Sequence, residues 1–182
     1  MIQRLLTVLF LISSIATSAQ HYKPTDKGSK IHFTIKNFGI NTGGDLAGLK
    51  GSADFIPTNL KASSFHITVD VKTIDTDNGS RDEHLKSKDY FDAERYPVIL
   101  LNSTAINLTS QKIPGFYFFT GTLTMHGITK VVEFPFTANI VGSDCLFKGE
   151  FELNRMDYGI GKNSSVLSKI VKVSLSVLAK RI

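Results

Sequence analysis

The chain of 182 residues contains no tryptophan and one cysteine. With Cys145 alone, no internal disulfide can staple the fold, and stability has to come from an apolar core. Cys145 shares strand parity with Phe147, Phe151 and Leu153, which marks it as a buried structural thiol rather than a nucleophile. The five histidines, His21, His32, His66, His84 and His126, include no pair at i, i+4 or another standard ligand spacing, so no metal site is expected. Gly-x-Ser-x-Gly elbows, phosphate-cradling loops and dinucleotide fingerprints are missing as well, and no cofactor is expected. Blocks of like charge are also missing from a composition of 21 basic and 16 acidic residues. Nucleic acid is therefore not an expected partner.

Only one long apolar run exists, Leu5 to Ile15, and it is shorter than the roughly 17 to 25 residues that a transmembrane helix needs. Gln3 and Arg4 precede it and Ala16-Thr17-Ser18-Ala19 follow it. That order reads as a secretory signal peptide over residues 1–19, cut after Ala19, with a single domain over 20–182. The mature protein is expected to be exported, periplasmic or secreted, with no transmembrane span. A domain of this size buries about 70% of its unfolded surface.

What is abundant is alternation. Ile31, Phe33 and Ile35 alternate with polar neighbours, as do Phe65, Ile67 and Val69, then Phe134 and Phe136, then Phe147 and Phe151, and finally Leu175 and Val177. Each set is one apolar face of a strand with period two. With further segments near 46–56, 98–108 and 116–125, about eight strands are expected in an all-β, single antiparallel barrel. Turns are expected at Asn41-Thr42-Gly43-Gly44, Pro57-Thr58-Asn59, Pro114-Gly115, His126-Gly127 and Gly142-Ser143-Asp144. A barrel of this size is filled by side chains or holds one small ligand, and inward aromatics suit both.

Residues 80–96 break the alternation. Ser80-Arg81-Asp82-Glu83 fits a capping box, which predicts a short helix, and Asp92 to Arg95 predicts a second helical turn ended by Pro97. This insertion carries Leu85, Tyr90, Phe91 and Tyr96 as groups able to face a barrel mouth.

The sequence resembles the YceI-like family of exported lipid-binding proteins over about residues 24 to 181. The resemblance rests on Ser29-x-Ile31-x-Phe33, Leu49-x-Gly51, Val71-x-x-Ile74-x-Thr76, Arg81-Asp82-x-His84-Leu85-x-Ser87-x-Asp89-Tyr90-Phe91-Asp92, Tyr96-Pro97, Gly121-x-Leu123-Thr124-x-His126-Gly127-x-Thr129-Lys130 and Asn154-Arg155-x-Asp157-Tyr158-Gly159. It implies a lipocalin-like barrel that holds a long isoprenoid chain or isoprenoid quinone inside, without metal or catalysis. The twelve inward residues named above would then line the ligand, and Leu85, Tyr90, Phe91 and Tyr96 would cap it. Arg81, Asp82, His84, Arg155 and Asp157 would be structural.

The functional expectation is an exported carrier of a long apolar lipid. The alternative is a small enzyme acting on a lipid-like or quinone-like substrate, with His84 or His126 as general base. An outer-membrane barrel is disfavoured, since Lys36, Lys72, Lys148, Glu150 and Glu152 occupy the strand faces that would meet lipid.

Overall fold

The computed structural model describes residues 20–109 and 113–182; the expected signal peptide lies outside the described residues. Nine strands follow in order: β1 (His21–Pro24), β2 (Lys30–Asn37), β3 (Ile40–Asp54), β4 (Ser64–Asp75), β5 (Val98–Leu108), β6 (Phe116–Met125), β7 (Ile128–Val141), β8 (Asp144–Asn154) and β9 (Leu167–Arg181). Neighbours from β2 to β9 pair antiparallel, and β9 returns to β2 in the register Phe33↔Val173, so eight strands close a barrel. Closure removes the exposed edges that an open sheet would present.

β1 is the strand that the alternation does not show. It continues the line of β2 after a break, pairing Tyr22 with Ala53 of β3 and with Arg181 of β9. Ser29 patches the interruption: its hydroxyl accepts from Leu178 N at 2.8 Å and donates to the Thr25 carbonyl at 2.5 Å. The serine at the head of the Ser29-x-Ile31-x-Phe33 motif thus replaces a missing ladder bond.

Three local expectations are corrected. Asn41 to Gly44 is not a turn but the start of β3, and the chain reverses at Phe38 and Gly39, with Asn37 paired to Ile40. Gly44 sits within the ladder because a Cβ there would lie 2.5 Å from the Asp75 carbonyl oxygen and 2.9 Å from the Phe33 ring. Helix α1 (Gly79–Lys86) is capped by Asn78, whose side chain accepts from Arg81 N, and not by Ser80. Glu83 is engaged with Lys86 at 3.1 Å. Residues 92–96 form a turn closed by Arg95 N and Tyr96 N on the Asp92 carbonyl, without a second helix. The glycine at 48, by contrast, is a bulge, with positive φ and a register shift between Ala47 and Lys50.

A cluster of buried aromatic residues lies at the β1 end. Tyr22, Phe55 and Phe119 are each 1% exposed and Cys145 is fully buried. Phe55 meets Tyr117 and Phe147 edge to face, with ring centroids 4.9 and 5.5 Å apart. These aromatic contacts stopper that end of the barrel.

Candidate functional site: an apolar cavity closed at one end

Above the stopper the barrel is hollow. A cavity of about 390 Å³ occupies it, within the range of roughly 300 to 1,000 Å³ usual for small-molecule sites. Its wall is the inward face of every strand from β2 to β9 and is almost wholly apolar. All twelve inward residues expected from the alternation lie on this wall: Ile31, Phe33, Ile35, Phe65, Ile67, Val69, Phe134, Phe136, Phe147, Phe151, Leu175 and Val177. Phe33, Phe151, Leu175 and Val177 point inward yet remain only half-buried. Their free surface is the cavity surface.

The wall is shaped by stacked rings and missing side chains. Phe119, Phe134 and Phe151 form a stack across β6, β7 and β8, with both centroid separations 4.7 Å. Gly149 faces inward between Phe136 and Leu175, where a Cβ would come within 3.2 Å of the Phe134 ring. A larger residue there would push the stack into the hollow.

Leu101, Phe119 and Leu123 also line the cavity and were not among the residues expected to do so. Phe119 belongs to the run Phe116-Tyr117-Phe118-Phe119, where four consecutive aromatics carry no parity signal. Leu123 and Leu101 face each other across β5 and β6, and the period-two reading extends to both once the register is known.

At the far end from the stopper, α1 and the turns after it lie over the barrel. Leu85, Tyr90 and Phe91 reach the cavity. Tyr96 does not: it packs edge to face on His126, 5.2 Å between centroids, beneath the Arg95 guanidinium. The turn at Asp92 carries Tyr96 past the mouth, so this expected mouth residue is outside it.

The cap is attached through Thr76. Asp82, buried, accepts from Thr76 N at 2.9 Å and from the Thr76 hydroxyl, while Arg81 Nε donates to that hydroxyl oxygen at 2.8 Å. Arg81 also donates to the Thr76 carbonyl. One threonine at the end of β4 thereby holds two successive helix residues. His84 takes no part in this network; its ring lies 4.8 Å from that of Tyr90.

Arg155 organises the other side of the same rim, where Gly161 N donates to the Asp89 carbonyl of the cap. It is 3% exposed and donates to the carbonyls of Ser168, Ile160 and Lys162 at 2.9, 2.7 and 2.9 Å. These bonds fold residues 160–168 back over the short 3-10 turn Arg155–Tyr158, which Gly159 ends with φ of 67°. Asp157 accepts from Asn154 Nδ2 at 3.1 Å at the start of the same turn. Asn37, Thr42, Thr76, Arg81, His84 and Arg155 are polar residues on the mouth side of the cavity.

The catalytic candidates are separated. His84 lines the cavity but His126 does not, its Nδ1 being bonded to the Tyr158 carbonyl at 3.0 Å. Among the described residues no group of three or more His, Cys, Asp or Glu is placed to hold a metal. Cys145 sits under the stopper, and burial pushes its thiol up to about 12, far from the thiolate that reactivity requires.

A sequence model of the YceI-like domain matches residues 22–179. The chain belongs to the YceI-like family. Among relatives, a UPF0312 protein of Pseudomonas putida is 34% identical over 155 residues, covering 82% of this chain and 73% of its own. One from Pseudomonas aeruginosa is 28% identical and covers 97% of both. Another, from Photorhabdus laumondii, is 33% identical over 67% of this chain, which spans 63% of that relative's length. The YceI-like barrel is also similar to solved structures. The crystal structure of BcnA from Burkholderia cenocepacia matches with a TM-score of 0.80 at 24% identity, over 86% of this chain and 99% of its own. A polyisoprenoid-binding domain from Saccharophagus degradans, implicated in plant cell wall breakdown, matches with 0.69 at 14% identity, over 91% and 100%. These structural likenesses show the YceI-like fold.

Proposed function

We propose that the protein is an exported, non-catalytic carrier that sequesters a long apolar lipid, a polyisoprenoid or isoprenoid quinone, inside its barrel. The observation that carries this reading is the hollow itself: a cavity with an almost wholly apolar wall, stoppered at one end, with most of its polar residues at the mouth. A chain drawn into it gains on the order of 0.8 kcal/mol for each CH₂ removed from water. A polar head remains beside Asn37, Thr42, Arg81 and His84, where hydrogen-bonding groups are available. The polyisoprenoid-binding relative supports the ligand class. Export is supported by the run from Leu5 to Ile15 and the small residues that end it.

Purification of the secreted form, solvent extraction and mass spectrometry test the proposal. A long-chain apolar molecule in stoichiometric amount is the expected result. Empty barrels from several preparations, together with no uptake of added prenyl lipid, would overturn it.

A further inference from the structure

The tip of the β2–β3 hairpin breaks two rules at once. Its reversal runs through Phe38 and Gly39, both with positive φ, 50° and 77°. A two-residue turn of this hand favours Asn, Asp or Gly at the first position, because a bulky L side chain is strained there. The residue present is an aromatic, and it is 75% exposed. Neither local conformation nor burial accounts for a phenylalanine at this position.

Phe38 is not an isolated apolar group. Ile40, on the same tip, is 72% exposed, and Phe38 N donates to the Val166 carbonyl at 2.9 Å, joining the tip to the loop before β9. Val166 and Ile170 are 37% and 46% exposed. Four large apolar residues thus stand free on two adjoining segments. Between them, Asn37 and Leu167 are paired across the β2–β9 seam and line the cavity. The patch therefore borders the mouth.

Charge selects what such a patch meets. Segments 36–41 and 162–170 contain Lys36, Lys162 and Lys169 and no acid. None of the three takes part in an ion pair among the described residues, whereas Lys172, further along β9, is paired with Glu150. Apolar side chains with unpaired lysines in the same two segments suit an interface whose surface is anionic and whose interior is hydrocarbon.

We propose that the Phe38 tip, with Ile40, Val166 and Ile170, docks the protein on an anionic phospholipid membrane and sets the cavity mouth against the lipid surface. Phe38 and Ile40 enter the headgroup layer while Lys36, Lys162 and Lys169 meet lipid phosphates. A lipid then passes between bilayer and barrel without its tail crossing open water. The purpose of this contact rests on the carrier reading; the contact itself does not, and the two fail separately.

The test uses the mature chain with vesicles free of prenyl lipid, one set mixing phosphatidylglycerol with phosphatidylethanolamine and one of phosphatidylcholine. Co-sedimentation is expected on the anionic vesicles, weakened by salt. The variant Phe38→Asn with Ile40→Ser should bind them at least tenfold more weakly. Its melting temperature should equal or exceed that of the parent, because Asn suits the turn, and its affinity for a soluble prenyl lipid should be unchanged. No binding by the parent, equal binding to both vesicle types, or equal binding by the variant would each overturn the proposal. A lower melting temperature for the variant would make Phe38 structural and overturn it too. So would a concentration-dependent dimer in sedimentation velocity that the variant abolishes, since the patch would then belong to a second copy. Failure of the carrier reading would appear elsewhere, as loss of prenyl-lipid binding by the parent in the absence of vesicles.

Discussion

At one end of the barrel the rings of Phe55, Tyr117, Phe136 and Phe147 meet one another at centroid distances of 4.9 to 6.4 Å; toward the other, Phe33 and Phe151 face a hollow. Both regions follow the same alternation and use the same residue type. They differ in what stands opposite: at the stopper the inserted Tyr22 and the Phe55 that follows β3 join the packed aromatic cluster, and above it the wall carries Gly149, with no side chain to project inward. A phenylalanine at the first end works through contacts with its own protein, and one at the second has a face left over for something else.

Mutations should separate the two regions most sharply at Phe55. Phe55→Ala is expected to cost about 3 to 5 kcal/mol, the loss for a packed aromatic, as read from urea melts of delipidated protein. Next comes the rim, where Arg155→Ala deprives three carbonyls of their donor and is expected to cost about 3 kcal/mol, given roughly 1 to 3 for each buried group left unpaired. Limited proteolysis of that variant should open within residues 160–168 before the barrel melts. Cuts elsewhere first would show that Arg155 does not hold the loop.

Smaller stability effects are expected from Phe33→Ala and Phe151→Ala, each below the roughly 3 kcal/mol of a packed phenylalanine. Their affinity for a prenyl lipid should nevertheless fall about tenfold, equivalent to roughly 1.4 kcal/mol. Phe65 and Phe134 should behave more like Phe55, because Phe65 packs against Phe55, Phe119, Phe136 and Phe147, and Phe134 is held between Phe119 and Phe151. Full loss of stability at Phe33 and Phe151 as well would mean that the hollow is filled in solution.

The smallest effect is electrostatic and lies on the outside, common to both regions. Hydrogen bonds from Lys172 and Lys180 hold Glu150 and Asp144 below the usual carboxylate range. Groups so lowered contribute stability that is fully present above the unfolded value of about 4 and is lost as pH falls through the folded value. Thermal melts between about pH 6 and 3 should therefore show a slightly shallower acid decline for Lys172→Met than for the parent, and high salt should erase the difference.

The inward face was legible because each strand carries its own period-two record, and one buried face demands it. Strand β1 was not, since four residues with only Tyr22 and Pro24 buried are too short to show a period. The reversal at Phe38 was hidden by Asn41 to Gly44, whose composition imitates a turn although close backbone approach is what selects glycine there. Hollow and filled interiors need the same inward aromatics. The difference lies in register, which brings Gly149 opposite Leu175 and beside Phe136, and register is a property of pairs of strands that no single strand records.

The seam between β2 and β9 has a further consequence, for the order of assembly. It joins residues 30–37 to residues 167–176, and Ile182 N donates to the His21 carbonyl, so the two ends of the described chain meet. Contacts of such sequence separation form late, because nearly the whole chain must be drawn into one loop to make them. Until β9 is available, the sheet has open edges at β2 and β8. A ribosome-bound chain that has not yet released β9 is therefore an unsealed ribbon, and sealing is among its last folding events. A circular permutant joined across the termini and reopened at the Gly142 turn would make this seam local and pass the late closure to β7 and β8, so pulse-labelled hydrogen exchange should find the β7–β8 pairing protected last instead.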